Sequence, residues 1–404
     1  MVNYAKFLST FEELSKIGWD ENTGMNRLSL SENDIKVRKE LVKRLRKINA
    51  KIVTDDAGNI IAKVGEKEQV IAIGSHLDSV PNGGRFDGAY GVIAGLVLIE
   101  DIKDIVKNHS LMLIDFTNEE GSRWTPSLMG SGLTTGAFSK EFVYLQKDRD
   151  GITFKEALEK SGFLGDEHNR LLYNPPKYYI ELHIEQGPVL EREGFQIGIP
   201  VGIVSLRVLE VTMKGESNQA GPTPMSYRKD ALIGLSKIAY RFRDYALKKE
   251  DKLRITIGVV DVKPNIYNAI PGEVKFTVDI RSYDDNILEN ATSYVINEIK
   301  SVSDEENLDV SIETKWTAKK VEFDKDIIGI IENSCKKLNL KYKLMWSWAG
   351  HDAQYMTRIS RVGMIFVPSV NGRSHTKEEY TKDEDLINGL RVLEETVKAL
   401  DERG

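Results

Sequence analysis

The 404 residues predict an α/β protein: a discontinuous domain built on a mostly parallel sheet, interrupted by an inserted α+β sandwich domain. Three observations predict it. Continuous apolar runs at 70–73 and 110–116 read as strands covered on both faces, and helical patterns lie between such runs, as in a sheet with crossover helices. From Ser205 onward apolar and polar residues alternate instead, in the order β-α-β-β-α-β, which suits a separate sheet with one solvated face. After Phe323 the buried pattern returns. The expected boundaries are 1–204 and 321–404 for the outer domain and 205–320 for the insertion.

Taken in order, Tyr4, Phe7, Phe11 and Leu14 recur at helical spacing, and Val37, Leu41, Leu45 and Ile48 do so again. The turn Asp55-Asp-Ala-Gly-Asn59 separates short β-rich pieces, Lys51–Thr54 and Ile60–Val64. A buried strand enters at Val70, a helix follows over 88–105, and 110–117 is a second buried strand. Residues 125–136 are rich in Gly, Ser and Thr and read as a loop. Residues 177–187 form a third β-rich run. In the insertion, Ser205–Lys214, 253–262, Glu273–Ser282 and 308–316 read as strands, and 229–247 and 286–302 as helices. Helices at 327–338 and 384–400, with strands at 341–347 and 362–368, complete the outer domain.

Composition narrows the function. The chain carries 56 basic and 62 acidic side chains, a net charge of −6, so it offers no basic footprint for nucleic acid. Residues 1–14 mix Lys6, Glu12 and Glu13 with spaced apolar residues, unlike a signal peptide. The longest apolar run, 92–99, is far short of the ~20 residues that span a bilayer. Cys335 is the only cysteine, so no intrachain disulfide can form. No membrane partner and a cytoplasmic location are expected.

The sharpest polar clusters fall in the outer domain. His76 and Asp78 follow the first buried strand two residues apart, on one face of an extended backbone. Pro81, Gly83 and Gly84 turn the chain, and Asp87 opens the next helical segment. Glu119 and Glu120 follow the second buried strand, where α/β sheets place ligands. His183 ends the third. There are six histidines, and His76, His183 and His375 each lie past a β-rich run beside carboxylates. Singly, such a histidine is more often a hydrogen-bonded structural residue; together they point to metal ligands. His109 and His168 read as surface residues. His351 reads as a helix-start residue or part of a pocket wall. Asp87 could instead cap its helix, and Glu119 with Glu120 could be a solvated pair. Against that, adjacent buried carboxylates repel unless a cation sits between them. One ligating and the other acting as base would use both, as in sites holding two zinc-like ions ~3.5–4 Å apart.

The strings Gly74-Ser-His-Leu-Asp-Ser-Val-Pro with Phe86-Asp-Gly88, Asn118-Glu-Glu-Gly-Ser-Arg123, His183-Ile-Glu-Gln-Gly-Pro-Val-Leu-Glu191, Gly350-His-Asp-Ala353 and Gly372-Arg-Ser-His375 occur in this order. They resemble the hydantoinase/carbamoylase family of the di-zinc exopeptidase and aminoacylase superfamily, over essentially the whole chain. The resemblance implies a metal-dependent amidohydrolase that cleaves the ureido or amide C–N bond of an N-carbamoyl-type amino acid. It implies His76, Asp87, Glu120, His183 and His375 as ligands of two divalent metals, zinc first and manganese, cobalt or nickel as alternatives, with Asp87 bridging. Glu119 becomes the general base, Asp78 the residue that orients His76, and Gln186 a substrate contact. His351 is assigned to the substrate pocket. In the insertion, which the resemblance makes a lid and dimerisation element, Asn268 and Arg281 match positions that hold the substrate carboxylate. A homodimer is therefore expected. One departure stands out. The family's Asn-His-Ala-Gly-x-Thr-Pro-Met becomes Asn218-Gln-Ala-Gly-Pro-Thr-Pro-Met225, with Gln219 at the position of an oxyanion-stabilising histidine. A neutral amide there implies slower turnover or a changed substrate, the alternative being that Gln219 only makes a local turn contact. Dipeptidase or N-acyl amino acid deacylase activity on the same site, or binding without catalysis, are the competing expectations.

Overall fold

The computed structural model describes residues 2–403, and the chain divides into two compact units: one runs to Gly202 and resumes at Glu322, the other is Ile203–Val321. In the first unit, strand Val70–His76 pairs in parallel with Ser110–Phe116 on one side and with Tyr178–Ile184 on the other. Arg361–Val367 extends the parallel set beyond Tyr178–Ile184. Outer strands Ile60–Val64 and Lys51–Thr54 add on antiparallel, so the sheet is mostly parallel at its centre and mixed at its margins. All residues of the three central strands are buried, which is why they read as unbroken apolar runs rather than alternating ones. Helix Ala89–Ile102 is buried along nearly its whole length against them.

Two local expectations are corrected here. The loop expected over 125–136 contains a helix, Met129–Thr134, whose residues are all buried. Its small residues are a packing requirement: a Cβ on Gly130 would stand 2.6 Å from the Thr117 backbone, and one on Gly132 2.3 Å from the Phe138 ring. His109, expected at the surface, is 3% exposed. Its imidazole meets Asp401 at 3.2 Å, and the Asp401 carboxylate also accepts the backbone N–H groups of Lys107, Asn108 and His109. The end of helix Asp383–Asp401 thus buries a polar turn that local sequence marks only as hydrophilic. His168 is exposed, as expected.

The second unit is a four-stranded antiparallel sheet in the order Arg254–Lys263, Glu273–Ser282, Ser205–Lys214, Asp309–Ala318. Helices Ala231–Leu247 and Asp285–Glu305 give it its core, with Ile238, Phe242, Val295 and Ile299 packed against Leu209, Val211, Val278 and Ile280. Asp230 and Asp284 start these helices by accepting hydrogen bonds from free first-turn N–H groups. The chain enters on Ser205–Lys214 and leaves on Asp309–Ala318, neighbouring strands with Leu206 opposite Ala318. In the first unit, Phe323 N–H donates to Val201 C=O at 2.9 Å. No described helix is long and apolar enough to cross a membrane.

Candidate metal centre

The parallel strands deliver the functional side chains at their carboxyl ends. His76 is the last residue of its strand and is 1% exposed. Its Nδ1 lies 2.9 Å from the Asp78 backbone carbonyl, so Nδ1–H donates there and the Nε2 lone pair faces inward. His183 is built alike: Nδ1 lies 2.9 Å from the Ile184 carbonyl, while Nε2 accepts the Gly88 N–H at 3.2 Å. Pinning Nδ1 to a carbonyl and turning Nε2 inward is how proteins prepare a histidine to ligate; at His183 that Nε2 also meets the Gly88 N–H. Gly88 sits at φ +62°, and a Cβ there would fall 2.4 Å from the His76 ring, so the position requires glycine.

Asp87 lies between two groups of donors. Its Oδ1 is 3.1 Å from His183 Nε2 and 3.5 Å from His76 Nε2; its Oδ2 is 3.2 Å from His375 Nε2. It does not cap its helix: the helix opens at Gly88 with no side-chain capping bond. Glu120 completes the second group, 3.4 Å from His375 Nε2. Donor atoms of His76, Asp87 and His183 lie within 4.8 Å of one another, as do those of Asp87, Glu120 and His375. Glu119 stands 3.5 Å from His76 Nε2, and donor atoms of His76, Glu119 and Glu120 form a third group within 4.8 Å of one another. It is 7% exposed, which removes the solvated-pair alternative.

The electrostatics call for cations. Burial pushes the Glu119 carboxyl well above its usual range, eased by His76 and aggravated by Glu120. Burial and then Asp87 push Glu120 up to about 8. Burial opposes charge on His76 and His183, but Glu119 beside His76 and Asp87 beside His183 outweigh it and raise both. The hydrogen bond to Asp87 raises His375 to about 9, and Asp87, though buried, is held well below the carboxylate range by the three imidazoles. Glu120 Oε1 and Gln186 Oε1 are buried without a hydrogen-bond partner. Imidazole and carboxylate donors, two groups sharing one aspartate, and unpaired inward-facing oxygens together fit two divalent cations.

Several assignments change in detail. Asp78 holds His76 through its backbone carbonyl, whereas its carboxylate is 3.7 Å from His76 Nδ1 and accepts the N–H groups of Glu119 at 3.2 Å and Glu120 at 3.3 Å. Gln186, at φ +59°, donates its side-chain amide to Asp87 Oδ2 at 2.6 Å. His351 is 1% exposed, packs edge-on against His183 at 4.5 Å and bonds Ser347; burial and then His183 push its pKa well down, so it is neutral. In the second unit, Gln219 and Asn268 are exposed on adjoining segments joined by Ala220 N–H to the Asn268 carbonyl at 2.9 Å. Arg281 presents its guanidinium fork to Asp279 through two 2.8 Å bonds.

Among the buried carboxylates that escaped the sequence reading are Glu181, Asp352 and Glu379. Glu181 accepts from Ser75, Tyr179 and the Ala353 N–H. Asp352 accepts from Ser131 at 2.5 Å. Glu379 accepts from the N–H groups of Phe86 and Asp87 and from Ser374. Only Glu181 carried a signal, as a charge in the middle of an apolar strand.

A mostly parallel sheet that gathers imidazoles and carboxylates at its carboxyl edge is the architecture of a metal-dependent hydrolase, and residues 72–399 match peptidase family M20/M25/M40. The chain belongs to this family, whose members are metal-dependent. Its relatives lie among the hydantoinase/carbamoylase amidases. It is 35% identical to an N-carbamoyl-L-amino-acid amidohydrolase of Pseudomonas sp. (strain NS671), over 96% of this chain and 95% of that one. It is 33% identical to the allantoate amidohydrolase of Escherichia coli K12, over 95% of each. A hydantoinase/carbamoylase family amidase from Burkholderia multivorans superposes with a TM-score of 0.90, at 33% identity and 98% coverage of both chains.

Proposed function

We propose that this protein is an amidohydrolase that cleaves the ureido C–N bond of an N-carbamoyl-type amino acid, using a water between two metals. The observation that carries it is Asp87, shared between the His76–His183 pair and the Glu120–His375 pair, with Glu119 alongside. Two divalent cations held there would polarise the substrate carbonyl and acidify a water. Glu119 takes the proton from that water and returns it to the leaving nitrogen. Water adds to the carbonyl carbon and the C–N bond to the leaving nitrogen breaks; the carbamic acid left behind breaks its remaining C–N bond as it loses carbon dioxide, so the products are the amino acid, ammonia and carbon dioxide. Asp78 fixes the backbone of Glu119 and Glu120 so that base and ligand keep their separate roles. His351, neutral and packed on His183, holds that ring in place and walls the pocket. Gln186 restrains Asp87 and meets the substrate with its carbonyl oxygen.

Asn268 and Arg281 are assigned to the substrate carboxylate, since a guanidinium fork pairs with a carboxylate bidentately; Asp279 holds that fork oriented. Gln219 is assigned as a neutral donor to the developing oxyanion. Zinc is the expected metal, with manganese, cobalt and nickel as alternatives that the same donors accept. A homodimer and a cytoplasmic setting complete the reading; the buried single thiol of Cys335 is compatible with a reducing compartment.

The test is a panel of N-carbamoyl amino acids, allantoate, N-acyl amino acids and dipeptides, offered to protein reconstituted with each metal. Ammonia release from a ureido acid is expected. Turnover confined to dipeptides or N-acyl amino acids would replace this reading with a peptidase or deacylase one, and binding without any turnover would reduce the protein to a binder.

A further inference from the structure

The two halves of the metal centre are supported differently. His76 is the last and His183 the penultimate residue of a buried strand, and each has its Nδ1 fixed by a nearby backbone carbonyl. His375 has no such support. It lies in the irregular segment 373–382, at φ +57°, with its side chain 48% exposed. A non-glycine residue in the left-handed region is strained and persists only where its surroundings enforce it. Something must hold this segment against Asp87.

Glu379 does so from four residues away. Its carboxylate is 4% exposed. Oε1 accepts the backbone N–H groups of Phe86 at 2.9 Å and Asp87 at 3.1 Å. Oε2 lies 2.7 Å from the hydroxyl of Ser374, the residue before His375, and that hydroxyl is also 3.0 Å from Asp87 Oδ2. One carboxylate therefore ties the main chain of Asp87 to the segment carrying His375, through the Asp87 oxygen that faces His375. The route is open only because residue 84 is glycine: a Cβ there would stand 2.1 Å from Glu379 Oε1.

We propose that Glu379 is a positioning residue that sets the Asp87–His375 geometry and thereby governs retention of one of the two cations, that of the Asp87–Glu120–His375 group. This rests on the metallohydrolase reading above. Partners that orient metal ligands without touching the metal are worth about 10- to 100-fold in affinity.

The experiment is a Co²⁺ titration of the metal-stripped full-length protein, followed by visible absorption and by metal content after desalting. Wild type takes two equivalents. Glu379→Ala should keep the first equivalent and bind the second about 10- to 100-fold more weakly. Glu379→Gln, which retains an oxygen for the two amides, should recover most of that loss, and exposed Glu378→Gln should match wild type. Gly84→Ala, which drives a methyl into the Glu379 carboxylate, should reproduce the selective weakening even if Glu379→Ala fails to fold. Two equivalents at wild-type affinity in both Glu379→Ala and Gly84→Ala would overturn the assignment, as would equal loss of both equivalents. A wild type that takes no cobalt would overturn the metallohydrolase reading itself, and the role of Glu379 with it.

Discussion

Replacing Asp78 by Asn separates two ways in which that residue could support the site. If the carboxylate steadied His76, the substitution would loosen a ligand and lower metal content. The structure puts the work elsewhere. The Asp78 backbone carbonyl, unchanged in the variant, holds His76 Nδ1, while the two carboxylate oxygens each accept one amide, from Glu119 and Glu120. Asparagine keeps one acceptor and turns the other into a donor facing an N–H group about 3.2–3.3 Å away. A buried hydrogen bond to a charged acceptor is worth about 1.5–3 kcal/mol, and leaving a donor unsatisfied costs a similar amount. If that energy is spent on misplacing Glu119, the rate falls roughly 10- to 100-fold, since ~1.4 kcal/mol is a factor of ten. The assay pairs kcat on a ureido substrate with metal content of the same sample. Asp78→Asn should lose turnover while retaining the metal held by His76 and His183. Loss of that metal with unchanged turnover per metal would refute the argument.

Three further outcomes follow from the same geometry. Glu119→Gln, nearly isosteric and outside both proposed ligand groups, should keep its metals and lose about 10²–10⁴ in kcat; an active variant would remove Glu119 as the base. Gly88→Ala should fold but fail to load the His76–His183 group, because its methyl would stand 2.4 Å from the His76 ring; metal analysis beside circular dichroism checks this. Chelation should make stability pH-dependent. Glu120, raised to about 8 by burial and Asp87, and His375, raised to about 9 mainly by Asp87, both bind protons more tightly folded than unfolded. Metal-free protein should therefore lose stability as pH rises from about 5 towards 9, and metal-loaded protein should lose less, a contrast readable in thermal melts across that range. A metal-free melting temperature that rises with pH would contradict it.

The central strands were legible because burial on both faces leaves unbroken apolar runs, and the histidines were legible because they stand where those runs end. The pairing that makes Asp87 face both groups is not a local property. A helix cap and a shared ligand look identical in sequence, and only the arrival of His183 and His375 from distant segments separates them. Met129–Thr134 was misread because small residues signal loops and tight helix packing alike. Asp78 was assigned through its side chain because sequence patterns name side chains, whereas the bond that orients His76 comes from its backbone. Glu379 sits in the run Lys377-Glu-Glu379, which has the texture of a solvated surface; its burial is imposed by the Gly84 turn almost three hundred residues earlier.

The paths into and out of the second unit have a practical consequence. Entry and exit run on neighbouring strands with Leu206 opposite Ala318, and the first unit closes across Val201 and Phe323. Both ends of the excursion are thus tethered side by side, so the segment behaves as a cassette. Exchanging it for the corresponding piece of a relative would leave the threading of the sheet that carries His76 and His183 unchanged. Chimeras of this kind would test how much of the substrate preference travels with the second unit while the metal ligands of the first stay unchanged.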